Sequence, residues 1–166
     1  MNINIFALAG AALIPMIMGF IWYNPKVVGN AWMAEAGVTE EKMKGANMPL
    51  IFGLSYLFSF FLAFGLYFVV IHQAHIMSIL IDEPGMKDAG SEISIYFTDF
   101  MSKYGNNFRT FKHGALHGTI AGFVIALPII AVNAMFERKS VKYILINWGY
   151  WTICMALMGG VICQFA

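Results

Sequence analysis

Charge is what this 166-residue chain withholds: no aspartate, glutamate, lysine or arginine interrupts residues 3–23, 50–71, 114–136 or 143–166. Charged residues make up 11% of the chain, against about 25% in soluble domains. A charge at a bilayer centre costs at least about 2.5–3.5 kcal/mol, so a hydrocarbon solvent demands this exclusion. Four such runs with no polar face argue against a water-soluble fold. Cysteine is nearly absent too. Cys154 and Cys163 stand nine positions apart in one run, and at roughly 100° per residue they point to opposite helix faces. They cannot pair with each other and read as small apolar fillers. Net charge is only +1, so no basic field invites nucleic acid. The first run has no basic residue ahead of it and no A-x-A-like site closing it. It also exceeds a signal core of about 7–15 residues, so it reads as a retained span. No serine or cysteine has a base nearby in sequence and no carboxylate lies within a run, so neither an enzyme nor a cofactor is expected.

What is present is grease of membrane length. A hydrocarbon core of about 30 Å needs about 20 helical residues, and each run supplies them. The expected fold is all-α: one integral-membrane four-helix bundle covering residues 1–166, with an amphipathic helix in the long loop between spans two and three.

The connections carry their own signals. Pro25 ends span one and Pro49 opens span two. In loop one, residues 24–49, Thr39 precedes acidic residues as a helix N-cap does, which predicts a short helix near Glu40 to Lys44. In loop two, residues 72–113, the run Asp82-Glu83-Pro84-Gly85 predicts a turn. Beyond it Phe97, Phe100, Met101 and Tyr104 follow helical spacing, with Asp99 and Lys103 placed to pair and Gly105-Asn106-Asn107 as the stop. That apolar face must rest on the bilayer, the bundle or a partner. Loop three is a tight cationic hairpin through Arg138, Lys139 and Lys142.

Small residues mark where helices approach. Gly114, Gly118, Gly122 and Ala126 recur every four positions in span three; Ser55, Ser59 and Ala63 do so in span two, and Ala156 with Gly160 in span four. Such stripes favour close packing inside one bundle, with a seam between copies as the alternative. Pro15 and Pro128 should kink or loosen their spans.

The residues Trp22-Tyr23-Asn24-Pro25, Gly29-Asn30-Ala31-Trp32-Met33, Phe136-Glu137-Arg138-Lys139-Ser140 and Ile146-Asn147-Trp148-Gly149-Tyr150 resemble an uncharacterised bacterial membrane family, domain of unknown function seventeen-sixty-one. The resemblance covers most of the chain except loop two, which looks longer than the family's plain form. It implies a four-span bacterial inner-membrane protein and carries no activity and no catalytic residues.

Two clusters are candidates for function. At one membrane face Trp22, Tyr23, Trp32, Trp148, Tyr150 and Trp151 gather beside Asn133, Glu137 and Asn147. An interfacial aromatic belt is the plain reading and a docking face the functional one, with Asn133, Glu137 and Asn147 expected to bond across the loop three corner. At the other face lie all four histidines. His72 and His75 are spaced i, i+3, and His113 and His117 are spaced i, i+4, so four imidazoles could meet one metal ion, or two a haem. Asp82 and Glu83 could add oxygen donors. Satisfied interfacial histidines outweigh either alternative.

Basic residues orient the chain. Loops one and three share a side and hold Lys26, Lys42, Lys44, Arg138, Lys139 and Lys142; loop two holds Lys87, Lys103, Arg109 and Lys112. The excess puts both termini and loop two outside the cytoplasm. The expected function is that of a non-enzymatic structural or accessory subunit, with the lipid bilayer and a protein partner or second copy as its contacts. The alternative is a small transporter or a metal- or haem-binding protein built on His72, His75, His113 and His117.

Overall fold

A computed structural model describes residues 3–166, and among them every regular element is helical. Met1 and Asn2, which enter the signal-peptide reading, lie outside the described residues. In chain order the elements are α1 (Ile5–Ala11), α2 (Ile14–Trp22), α3 (Gly29–Ala36), α4 (Glu40–Met43), α5 (Met48–Val70), α6 (His72–Leu80), α7 (Glu92–Tyr104), α8 (Phe111–Ala121), a π-helical turn (Gly122–Ala126), α9 (Leu127–Phe136) and α10 (Val141–Phe165). Among the described residues four stretches are long and apolar enough to cross a membrane: Ile5–Trp22, Met48–Val70, Phe111–Phe136 and Val141–Phe165. They match the four charge-free runs to within a few residues, and a multi-pass membrane protein is compatible with them.

Both prolines interrupt their spans, for the same reason. A proline ring lacks an N–H and crowds the carbonyl four residues back. Four back from Pro15 is Ala11, where α1 stops before α2 resumes at Ile14. Four back from Pro128 is Val124, inside the π-helical turn. Two donors from α10 reach these places: the Tyr150 hydroxyl donates to Pro15 O at 2.7 Å, and Trp148 Nε1 donates to Gly122 O at 3.1 Å.

α10 is the hub, packing on α1, α2, α5, α8 and α9. Against α8 it comes so close that a Cβ on Gly114 or Gly118 would overlap the Gly159 or Met155 carbonyl. At Gly122 a Cβ would meet Thr152 Oγ1 at 2.7 Å. The glycine stripe of span three is therefore an intramolecular seam. Its partner on α10 is centred one residue from the expected position: Gly159 faces Gly114, Ala156 lies against Gly118, and Gly160 accommodates the Phe111 ring. In α5, Ser59 and Ala63 are buried as expected of packing residues, whereas Ser55 is exposed. Ser55 lines an apolar cavity of about 480 Å³ with Phe20, Phe52 and Tyr150. Ala126 is only half-buried at the edge of the core. The core itself runs through Leu8, Leu66, Val70, Met158 and Ile162. Large side chains such as Phe6, Phe20, Phe58 and Phe136 point outward, as they would toward lipid.

The connecting segments hold more helix than the sequence signals suggested. α3 ends at Gly37, whose φ of +71° suits glycine in a helix C-cap. α4 begins where Thr39 predicted, with Thr39 Oγ1 accepting from Lys42 N at 3.3 Å. α6 follows α5 directly across a break at Ile71. The turn at Asp82-Glu83-Pro84-Gly85 is present, with Gly85 at φ +87°. α7 is present too, and the Asp99–Lys103 pair forms at 2.7 Å.

Candidate sites at the two ends of the bundle

At the end where α2 finishes and α10 begins, the aromatic side chains bind one another. Trp22 Nε1 donates to Ile146 O at 3.2 Å, and the Tyr23 hydroxyl donates to Asn147 Oδ1 at 3.1 Å. The Tyr23 ring meets Trp32 edge-on at 5.1 Å and Tyr150 at 5.0 Å. Trp32 Nε1 is buried with no hydrogen-bond partner among the described residues.

Loop three closes differently from the expected Asn133–Glu137–Asn147 bonding. Asn147 is engaged by Tyr23 and donates from Nδ2 to Tyr143 O at 2.8 Å. Backbone bonds turn the corner instead, from Lys139 N to Ala134 O at 2.8 Å and from Arg138 N to Met135 O at 3.1 Å. Arg138 sits at φ +56° to make that turn. Loop one then latches on: Lys139 Nζ donates to Ala36 O at 2.8 Å, Ser140 Oγ donates to the Glu35 carboxylate, and Lys142 lies 3.6 Å from that carboxylate. Asn133, Glu137 and Asn147 line one cavity of about 220 Å³ with Tyr143 and Trp151. This end is a clamp in which the Trp22, Tyr23, Trp148 and Tyr150 donors are used within the chain.

The opposite end holds the histidines. Thr110 caps α8 through its hydroxyl, which accepts from His113 N at 3.3 Å. One turn separates His113 from His117, so their rings share a face with centroids 4.5 Å apart. His72, the first residue of α6, is thrown against them by the break at Ile71. Its ring lies 5.1 Å from His113 and 4.8 Å from His117. The Nε2 atoms of His72 and His113 are 2.9 Å apart, one donating to the other. One ligand nitrogen from each of the three rings falls within 4.8 Å of the other two, the arrangement that can hold a metal ion.

His75 does not join them. Its Nε2 donates to Phe68 O at 2.7 Å, back along the end of α5, so its ring is directed away from α8. Asp82 and Glu83 are outside the trio as well and line a separate cavity. Burial first, then the His113 and His75 rings, hold the His72 imidazole below its ordinary 6.5, favouring the neutral form.

Loop two folds back over this end. The buried Gln73 donates to Asn107 O at 2.9 Å, and Phe108 stacks on His113 at 5.0 Å. Arg109, read from the sequence only as an orienting charge, caps the end of α10: Nε donates to Cys163 O at 3.0 Å and the guanidinium also reaches Ala166 O. A cation at a helix C-terminus is the favourable sign. α7 itself has no buried residue. Phe97, Phe100 and Met101 are half-buried and Tyr104 is exposed, while Ile95 and Tyr96 on another face are 56% and 61% exposed.

A family model described as Protein of unknown function (DUF1761) matches residues 6–163. No curated protein and no solved structure matches the chain.

Proposed function

The chain belongs to that family of unknown function, DUF1761, and on this premise we propose a non-enzymatic multi-pass membrane protein acting as an accessory subunit of a membrane complex. The observation that carries the reading is α7. It stands outside the four span-like helices, buries no residue, and presents Ile95, Tyr96 and Tyr104 outward. An apolar helix left uncovered outside the spans offers a surface to another membrane protein. The glycine seam supports a static scaffold, since α8 and α10 touch backbone to backbone and leave no room to slide. Conduction through the bundle has less support, because a path would need polar groups along it and residues 3–23, 50–71, 114–136 and 143–166 carry no charge. The family resemblance and the excess of basic residues in loops one and three favour a bacterial inner membrane, with loop two on the non-cytoplasmic side.

Purification from native membranes in mild detergent, followed by mass spectrometry of the intact assembly, tests this. The expected result is a stoichiometric companion that Ile95→Glu with Tyr96→Glu releases. Recovery of the wild-type chain only as a lone monomer refutes the accessory role.

A further inference from the structure

We propose that His72, His113 and His117 form a binding site for a late first-row transition-metal ion, with zinc as its representative. The site goes beyond the accessory reading and stands or falls separately from it.

Geometry comes first. A tetrahedral zinc ion with Zn–N bonds of about 2.0–2.1 Å spaces its nitrogens about 3.3 Å apart. The closest pair here, His72 Nε2 and His113 Nε2, is 2.9 Å apart, and the trio fits within 4.8 Å. Rotamer adjustments of a few tenths of an ångström to about an ångström bring the three nitrogens onto one ion, with no helix displaced. Two ligands already have fixed places, because His113 and His117 sit one turn apart on α8 beside its glycine seam with α10.

Proton sharing alone leaves the cluster incompletely satisfied. The single hydrogen bond between His72 and His113 uses one nitrogen of each. His117 touches both rings and has no hydrogen-bond partner for its own ring among the described residues. A metal ion would engage all three at once.

The donor set selects the ion. Imidazole nitrogen suits zinc, copper and nickel, whereas magnesium and calcium require oxygen ligands that the trio lacks. Three neutral ligands leave a fourth position open and the ion's charge uncompensated. A cavity of about 390 Å³ adjoins His72, with Gln73, Tyr104 and Asn107 in its walls, and leaves space for water or a small anion beside that ligand. The same packing argues against haem. Axial histidines stand on opposite faces of a macrocycle, and these three rings press edge to face with no slot between them.

The measurement is calorimetric titration of tag-free, chelator-stripped protein in detergent with zinc, and with magnesium as the control. Wild type is expected to bind one zinc per chain and no magnesium. His72→Ala and His117→Ala should each weaken binding at least about ten-fold, while His75→Ala leaves it unchanged. Cobalt in place of zinc should give the intense visible bands of a four-coordinate ion. Sub-stoichiometric, unsaturable zinc uptake by folded wild type overturns the proposal, and so does a loss in His75→Ala equal to that in His117→Ala. Should His117→Ala fail to fold, His72→Ala, at the exposed start of α6, carries the same test.

Discussion

A single backbone break decides what His72 does. Ile71 leaves the helix at φ −103° and ψ 89°, and that step turns the next side chain away from the α5 face and onto α8. His75 instead bonds back to Phe68. Four histidines of equal standing in the sequence thus become three neighbours and one outsider. Crowding has a consequence for acid stability. The folded chain holds the His72 proton more weakly than the unfolded chain, because burial, His113 and His75 all lower its affinity. In metal-free protein its contribution is therefore complete above the ordinary 6.5 and is lost as pH falls through the lower folded value. Thermal unfolding in detergent should show the wild-type midpoint falling more steeply below pH 6.5 than that of His72→Asn. Parallel profiles for the two proteins would remove this group from the acid limb.

Helices in this protein are specified by what interrupts them. Pro15 and Pro128 were readable as breaks; that one yields two helices and the other a π-helical turn depends on neighbours. Tyr150 and Trp148 of α10 donate to the Pro15 and Gly122 carbonyls near these interruptions and tie α10 to both. The seam between α8 and α10 is the second element-level device. Lipid offers no hydrophobic drive for association, so close packing must supply it. Gly118→Val would force a branched side chain into the Met155 carbonyl and the Ala156 Cα. Overpacking of this kind costs about 1–3 kcal/mol, and denaturation in mixed micelles should register a loss of that size. Gly53→Val, where a Cβ meets nothing within 4 Å, is the matched control and should lie near wild type.

Across the whole molecule the two ends differ in kind. One is a clamp in which Glu35, Lys139 and Ser140 fasten loop one to loop three; the other is a loosely covered platform beneath α7. If loop two is non-cytoplasmic, Lys87→Cys should react with a membrane-impermeant maleimide added to intact cells, and Lys44→Cys should react only after lysis. Both positions are exposed, and the native Cys154 and Cys163 are buried. The reverse pattern would invert the proposed topology.

Solvent preference is a property of each side chain, so the absence of charge from four runs was enough to place the span-like helices to within a few residues, and the proline ring by itself marked the interruptions at Pro15 and Pro128. Capping and turn residues act within a few positions, which is why Thr39, the turn at Gly85 and the Asp99–Lys103 pair were legible as well. Nothing local could pair Gly114 with Gly159 rather than Gly160, place Arg109 on the end of α10, or choose three histidines from four. Those outcomes depend on the rotation of one helix against another and on a kink at Ile71. Rotations of that kind are settled only when distant segments pack.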